Sequence, residues 1–186
     1  NKNQILSAMT IYGFLSYHDE TLVIPNKELH IKFDEALEDK SMGAVSEIVM
    51  KSNEMLKATL KKDTKTMEKL IQEAHDINIP IIKYNDENSL ACIITLVYLS
   101  ARTKYKIVRE MPAGIGFADF IFYPNDKNKP AFIIELKKDS TPDEALKQIK
   151  EKRYPLALKD YTGQKLAVGI TYNSKQKQHH VKIEEI

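Results

Sequence analysis

Three ionisable residues in the second half of the chain have types and a spacing that suit chemistry on a phosphate group. Asp119 lies within the apolar segment FADFIF, and Glu135 and Lys137 end the apolar segment AFIIELK. Both segments are typical of buried strands, in which alternate side chains share a face, so Glu135 and Lys137 project from the same side. If the turn residues of PNDKNKP fold the two strands into a hairpin, Asp119 comes close to Glu135.

Two carboxylates and an ammonium group have a clear chemical use when they converge. Hard oxygen ligands suit Mg²⁺ or Mn²⁺, which keeps several waters and accepts phosphate oxygens. Such a metal lowers the pKa of bound water and stabilises charge at an attacked phosphate, and a nearby lysine orients the water or offsets that charge. The alternative is an ordinary cross-strand salt bridge between Lys137 and Asp119 or Glu135, and the spacing alone does not distinguish the two.

The elements that must position these residues predict an α/β sheet. The segment NDENSLACIITLVYLSART predicts a helix, and KIVREM, FADFIFYP and AFIIELK predict three strands separated by turns. A second helix follows, with Thr141 or Ser140 as N-cap and Pro142 at its first position. GQKLAVGITYN and HHVKIEEI predict two further strands, the last at an edge. This order is typical of a sheet with helices on its faces.

The preceding residues predict a mostly helical region. Helical spacing runs through residues 5–17, then from KELHIKF onward with Asn26 as a candidate cap, and then from about Gly43 to Ile77 with a break near residues 61–65. No catalytic groups converge in this region. We therefore interpret residues 1–80 as a linker or docking region and residues 81–186 as the domain that carries the chemistry.

Composition excludes several classes of protein. The chain has 186 residues, 42% hydrophobic and 29% charged, with a net charge of +2, which is ordinary for a soluble globular protein. Its one cysteine, Cys92, rules out an internal disulfide framework, suits a cytoplasmic location and lies in ACIITLVYL, which predicts a buried apolar role. No apolar segment has the roughly 20 residues that a membrane span needs. The chain begins with Asn1 rather than Met, as a fragment of a longer protein would.

The segments GFADFIFYP, KPAFIIELK and the helix with EALKQIKEKRY resemble the PD-(D/E)XK nuclease superfamily. More narrowly, they resemble the nuclease-like domain at the C-terminal end of predicted bacterial AAA-ATPase-like proteins, and TLVIPNKELHIKF is similar to the segment that joins the two parts. The resemblance implies a restriction-endonuclease-like core: a helix, a three-stranded antiparallel meander, a second helix and further strands in a mixed sheet. It also implies cleavage of DNA or RNA with Mg²⁺ or Mn²⁺, and an ATPase-like domain N-terminal to this chain.

The same resemblance implies roles for individual residues. Asp119 and Glu135 match the metal-binding carboxylates and Lys137 matches the catalytic lysine, while Leu136 would offer the metal only its backbone carbonyl. Glu87 resembles an acidic residue that many members contribute from the preceding helix. Alternatively, Glu87 and the neighbouring Asp86 cap that helix and favour its dipole.

Gln148 and Tyr154 resemble a glutamine and a tyrosine that some members place on the helix after the Glu-x-Lys strand. Their separation of six residues departs from the tighter Gln-x-x-x-Tyr arrangement, in which Lys152 would occupy the tyrosine position. We therefore assign Gln148 to the site, with an ordinary solvated helix residue as the alternative, and interpret Tyr154 as a packed aromatic before Pro155.

Basic residues are in excess from residue 86 onward, with 17 Lys and Arg against 13 Asp and Glu. Four of them lie on or just after the same helix and would either contact phosphates or form a solvated face; they are Lys147, Lys150, Lys152 and Arg153. His179 and His180 are adjacent, face opposite ways in a strand, and are interpreted as an accidental terminal feature.

Three functional hypotheses follow from these residues. The first is a metal-dependent nuclease that uses Asp119, Glu135, Lys137 and Gln148. The second is a non-catalytic module that binds nucleic acid or docks to an ATPase-like domain. The third is a structural salt-bridge cluster that binds neither metal nor nucleic acid.

Overall fold

The structure is a computed structural model that describes residues 2–38, 44–78 and 87–186. The chain divides into two compact units, Asn1–Val49 and Met50–Ile186. The sequence patterns predict a domain boundary at residue 80 instead. Residues after Met50 join the sheet unit because their helices bury apolar side chains in the same core as the strands. A functional domain boundary at residue 80 stays a prediction.

The N-terminal unit contains helices α1 (Lys2–Ile11) and α2 (Lys27–Glu38), and strands β1 (Ser16–His18) and β2 (Thr21–Val23). The two strands pair as a short antiparallel hairpin. The expectation of a helix through residue 17 is wrong, because the chain leaves helical geometry at Gly13, which has a φ of +78°. The predicted cap is confirmed, since Asn26 Oδ1 accepts a hydrogen bond of 2.9 Å from the backbone N–H of Leu29.

Helix α3 (Ala44–Lys61) spans the boundary between the units, and the remaining elements belong to the C-terminal unit. They are α4 (Thr64–Asn78), α5 (Glu87–Val97), β3 (Tyr105–Ala113), β4 (Gly116–Pro124), β5 (Ala131–Lys138), α6 (Pro142–Glu151), β6 (Lys165–Asn173) and β7 (Gln178–Glu185), with short 3-10 helices at Leu99–Thr103 and Tyr154–Leu158. The predicted break between α3 and α4 is confirmed. None of the helices in the described ranges is long and apolar enough to cross a membrane.

The five strands β3 to β7 form one mixed sheet in sequence order. Strands β3, β4 and β5 are an antiparallel meander, β6 lies parallel to β5, and β7 pairs antiparallel with β6 at the edge. Helix α6 lies between β5 and β6 in the chain, as a parallel connection requires. This architecture confirms the expected α/β fold and is consistent with a restriction-endonuclease-like core.

Each face of the sheet carries its own apolar layer. On one face, aromatic side chains such as Phe122 and Phe132 pack with residues of α3, α4 and α5. On the other face, Ile121, Ile133 and Ala167 pack against α6 and the 3-10 helix at Tyr154–Leu158. The buried role expected for Cys92 is wrong: its side chain is exposed, because the neighbouring residues of α5 face the core instead.

Helix α6 lies unusually close to the sheet at Gly169 of β6. A Cβ atom at this position would come within 2.5 Å of the carbonyl oxygen of Pro142, at the start of α6. The start of the helix is fixed by a capping box, in which Thr141 and Glu144 each bond the backbone of the other. The predicted N-cap at Thr141 and first position at Pro142 are therefore confirmed. This close, capped placement determines where side chains of α6 lie over the sheet.

Candidate active site

Asp119 lies where strands β4 and β5 stop pairing. The last backbone pair in this direction is Phe120 with Ile134. One residue further on, Asp119 Oδ2 accepts a hydrogen bond of 2.7 Å from the backbone N–H of Leu136. In a continuing ladder this N–H would bond to a backbone carbonyl. The Asp119 carboxylate accepts the bond instead, so the backbone donor at the end of the strand pair has a partner. This bond fixes the Asp119 side chain against the strand that carries Glu135.

Glu135 is the most deeply buried carboxylate of the site, with 2% of its surface exposed. Its Oε1 accepts a bond of 2.9 Å from Lys137 Nζ, and the Gln148 side-chain amide donates to the same oxygen. A buried carboxylate is costly unless it is paired and hydrogen-bonded, and these two donors satisfy its Oε1. Lys137 keeps 23% of its side chain exposed, so its ammonium group lies between the buried carboxylate and solvent.

Gln148 links α6 to the two strands and to Tyr154. Its Nε2 also donates a bond of 3.1 Å to Tyr154 Oη. Tyr154 is buried, and burial raises the pKa of its hydroxyl, with a smaller rise from the negative charges of Glu135 and Asp119. The structure therefore brings Tyr154 into the cluster, although it is also a packed aromatic, as its sequence suggested.

The six-residue spacing between Gln148 and Tyr154 is compatible with contact because the helix ends between them. Helix α6 stops at Glu151, and Arg153 adopts a left-handed φ of +56°. This turn reverses the chain and starts the 3-10 helix at Tyr154. A continuous helix places residues three or four apart on one face, so the departure from the tighter spacing is explained by the turn.

The basic residues of this segment divide into two groups. Lys147 lies 3.6 Å from Glu151, and Lys150 pairs with Glu184 of β7, as expected of a solvated helical face. Lys152 and Arg153 are exposed at the turn after α6. The second pair comes directly before Tyr154 in the chain, and a role in phosphate contact stays a prediction.

Glu87 is the first residue of α5, and its side chain falls outside the described residues, as does Asp86. Its role therefore stays a prediction. Among the side chains that the structure describes, no group of three or more His, Cys, Asp and Glu converges to hold a metal ion. The carboxylates of the site within these ranges are Asp119 and Glu135.

Sequence reasoning missed Thr171, which lies on β6 beside Lys137 in the register of the sheet. Its hydroxyl is fully buried and has no hydrogen-bond partner within the described part of the chain. Threonine is common in strands, so its residue type gives no signal in the sequence. Its position beside Lys137 in the sheet is what links it to the site.

The interpretation of His179 as a terminal accident is wrong. His179 is buried on β7, its Nε2 lies 3.2 Å from His75 Nδ1 of α4, and its Nδ1 lies 2.8 Å from Gln72 Oε1. An amide oxygen only accepts, so His179 Nδ1 donates and its neutral Nε2 accepts from His75. The contact spans more than 100 residues of sequence, and no local pattern signals it.

A model of the PD-(D/E)XK nuclease superfamily matches residues 85–182, which is more than half of the chain. The protein therefore belongs to the PD-(D/E)XK nuclease superfamily, as its strand and helix segments suggested. The matched range contains the strand pair, α6 and all five residues of the cluster: Asp119, Glu135, Lys137, Gln148 and Tyr154. No curated protein matches the chain.

Proposed function

We propose that this protein is a metal-dependent nuclease that hydrolyses phosphodiester bonds in DNA or RNA. The observation that carries the proposal is the convergence of Asp119, Glu135 and Gln148 at the end of the β4–β5 pair in a member of a nuclease superfamily. A structural salt bridge alone would need only Glu135 and Lys137. Membership of a nuclease superfamily favours a catalytic site over a salt bridge to which Asp119 and Gln148 only add hydrogen bonds.

The donor set of this site fits a hard divalent cation such as Mg²⁺ or Mn²⁺. Asp119 and Glu135 would be its carboxylate ligands, since such ions prefer oxygen and are commonly held by one or two carboxylates with waters and substrate phosphates. Leu136 would add its backbone carbonyl: within a strand the N–H and C=O of one residue point to the same side, and the Leu136 N–H points to Asp119. When bound, the metal would supply an activated water and charge stabilisation at the phosphate.

The other side chains of the site have separate roles in this proposal. Lys137, partly exposed beside Glu135, holds a positive charge next to the attacked phosphate and orients the water. Gln148 holds the Glu135 carboxylate in position through its amide, and Tyr154 holds Gln148 in turn. Tyr154 stays protonated because burial raises its pKa, so it acts as a hydrogen-bonding group and not as a base.

The test uses Asp119→Asn and Glu135→Gln in the full chain. The asparagine keeps an oxygen acceptor for the Leu136 N–H, so the fold is expected to survive the loss of charge. Both variants should lose Mn²⁺ binding in calorimetry and lose at least about 100-fold in cleavage rate, since a catalytic metal supplies several kcal/mol of transition-state stabilisation. Substrates are single- and double-stranded DNA and RNA.

A matched control is Asp126→Asn, in the turn that follows the opposite end of β4. Asparagine there keeps the acceptor that bonds the backbone of Asn128, and metal binding and cleavage should be unchanged. Undiminished cleavage by a folded Asp119→Asn protein would sink the proposal.

The second candidate function is a non-catalytic module that binds nucleic acid or docks to an ATPase-like domain. The ion pair between Lys137 and Glu135 favours this candidate, because the pair holds the two side chains of the site together without a metal. Nucleic-acid or partner binding with no cleavage and no Mn²⁺ binding would support this candidate. The ATPase-like partner and a cytoplasmic location stay predictions from the sequence.

A further inference from the structure

Thr171 lies beside Lys137 in the sheet and on the same face. Strands β5 and β6 are parallel, and the two residues are register partners, so their backbones are about 4.8 Å apart. Along β6, Ala167 belongs to the apolar cluster on the α6 side, and Gly169 lies against α6. Because alternate residues of a strand share a face, Thr171 faces this side too. Lys137 shares the face, since it bonds the Glu135 carboxylate, which also accepts from α6.

The hydroxyl of Thr171 is an unsatisfied group in a well-packed part of the sheet. It is fully buried and has no hydrogen-bond partner within the described ranges of the chain. A buried hydroxyl without a partner costs free energy, and a valine would fill the same space without that cost. A polar group that breaks the pattern of an otherwise consistent core is expected mainly at functional sites.

Two polar side chains flank Thr171 in its row of the sheet. His180 is its register partner on the edge strand β7, and Lys137 is its partner on β5. Lysine has three donors on a flexible four-carbon stem, so Lys137 can change its hydrogen-bond partner by rotating that stem. Lys137 is also the neighbour whose present partner, Glu135, is assigned to the metal in the proposed function.

The ammonium group of Lys137 and a bound cation would share one carboxylate. Lys137 Nζ lies 2.9 Å from Glu135 Oε1. A divalent cation on the same carboxylate repels an ammonium group at so short a range, and the repulsion falls as the two charges separate. The neighbouring strand offers an acceptor for the displaced group, because a threonine hydroxyl has two lone pairs.

From these contacts we infer that Thr171 is a positioning residue for Lys137. When a divalent cation takes the Glu135 carboxylate, the Lys137 ammonium group shifts and donates a hydrogen bond to Thr171 Oγ1. The inference rests on the proposed function and adds a residue to its site. Held by Thr171, the ammonium group stays beside the attacked phosphate instead of extending into solvent. The hydroxyl stabilises the metal-bound state and has no role in the metal-free fold.

The experiment compares full-length wild type with Thr171→Val and Thr171→Ser, and repeats the valine substitution in a Lys137→Met background. Urea denaturation without metal measures stability, and calorimetry measures the affinity for Mn²⁺ at one pH and ionic strength. The valine removes only the hydroxyl, whereas the serine keeps it. The Lys137→Met background tests whether the hydroxyl acts through the lysine, because the effects of two coupled residues are not additive.

A matched control is Thr59→Val, in helix α3. The Thr59 hydroxyl is also fully buried, but it donates to the carbonyl oxygen of Met55 at 2.9 Å and lies 2.6 Å from Tyr98 Oη. Its removal leaves the Tyr98 hydroxyl without this partner, so Thr59→Val should lower the urea midpoint. It should leave the affinity for Mn²⁺ unchanged.

Thr171→Val should show the opposite pattern. Its affinity for Mn²⁺ should fall about tenfold, which is what a hydrogen bond to a charged group typically supplies, and its urea midpoint should be unchanged or higher. Thr171→Ser should stay within about threefold of the wild-type affinity. In the Lys137→Met background, the valine should change the affinity by less than about twofold.

Unchanged affinity for Mn²⁺ in Thr171→Val overturns the inference, and so does an equal loss in Thr171→Ser. A lowered urea midpoint or an unfolded Thr171→Val protein overturns it as well, since either result gives the hydroxyl a role in the metal-free fold. A full loss of affinity in the Lys137→Met background would show that Thr171 acts through another group, such as His180.

Failure of the inference is distinguishable from failure of the proposed function. A wild type that cuts nucleic acid with Mn²⁺, while Thr171→Val retains its metal affinity, overturns the role of Thr171 alone. A wild type that binds Mn²⁺ with the expected coupling between Thr171 and Lys137, but cuts no DNA or RNA, overturns the nuclease function alone. A wild type that does not bind Mn²⁺ overturns both.

Discussion

The Asp119 carboxylate is suited to a structural role and to metal binding at the same time. It satisfies the backbone N–H of Leu136 where the β4–β5 ladder ends, and it is a candidate metal ligand. A carboxylate has about four lone-pair sites, so a hydrogen bond to the backbone and a bond to a cation are compatible. The same backbone contact sets the distance between Asp119 and the strand of Glu135.

The hydrogen bond between Gln148 and Tyr154 gives the first prediction. Tyr154→Phe removes the acceptor of this bond and keeps the ring. It should lower the free energy of unfolding by about 0.5–1.5 kcal/mol and lower cleavage about tenfold, since groups that orient a metal ligand typically contribute 10- to 100-fold. Urea denaturation and single-turnover cleavage measure the two effects.

The matched control for this prediction is Tyr105→Phe. Tyr105 is also buried and donates its hydroxyl to the carbonyl oxygen of Pro130 at 3.1 Å, in the turn before β5. Its loss should cost similar stability and leave cleavage unchanged. Equal loss of cleavage in both variants would show that Tyr154 acts only through stability.

At the residue scale, the sequence predicts what depends on alternation within one strand. Glu135 and Lys137 lie two apart, and their contact at 2.9 Å needs only strand geometry. The bond from Leu136 to Asp119 depends on where two strands stop pairing, and the contact of Gln148 with Tyr154 depends on the left-handed turn at Arg153. Neither the end of a ladder nor a turn of this kind has a local pattern in this sequence.

At the scale of elements, helix α4 docks on the edge strand β7 through a buried histidine. His179 is 4% exposed, and burial lowers its pKa from 6.5 to about 3, with further lowering by His75 and His180. The folded protein keeps this ring neutral down to about pH 3, whereas the unfolded chain protonates it below about pH 6.5. Its contribution to stability is therefore complete above pH 6.5 and is lost as the pH falls from 6.5 towards 3.

The second prediction compares the wild type with His179→Gln at pH 7 and pH 5. The wild type should lose about 2 kcal/mol more of its free energy of unfolding over this interval, because protonation of the unfolded chain at pH 5 favours unfolding by about that amount. Urea denaturation at the two pH values measures the difference. Carboxyl groups whose pKa is lowered in the folded state, such as that of Glu184, contribute to the pH slope of both proteins and cancel. An equal change in the free energy of unfolding between pH 7 and pH 5 in the two proteins would refute the lowered pKa of His179.

Elements were predictable where their boundaries are encoded locally. The caps at Asn26 and Thr141 and the strand after PNDKNKP follow from residue type at a given position. Which side chains of an element are buried was less predictable, as Cys92 on α5 and His179 on β7 illustrate. Whether such a side chain is buried depends on which distant element packs against it, and apolar or polar type alone does not decide this.

At the scale of the whole molecule, α3 and α4 belong to the core of the sheet unit. Six buried residues of these helices lie in the same apolar cluster as Ile94 and Phe132; they are Met55, Leu56, Ala58, Met67, Leu70 and Ile71. Truncating one large buried apolar side chain costs about 2–5 kcal/mol, and a whole domain is stable by only about 5–15 kcal/mol. The loss of both helices therefore exceeds what the sheet unit can tolerate.

The third prediction compares two fragments, residues 44–186 and residues 81–186. The first keeps α3, α4 and all the buried core residues of the C-terminal unit, and it should unfold cooperatively and match the full chain in Mn²⁺ titration. Among the side chains described from residue 3 to 35 none is fully buried, so their removal should cost little. The second fragment should lack a cooperative transition in calorimetry and circular dichroism, because its sheet loses the apolar layer that α3 and α4 supply. Cooperative unfolding of residues 81–186 with intact Mn²⁺ binding would instead place the functional boundary at residue 80.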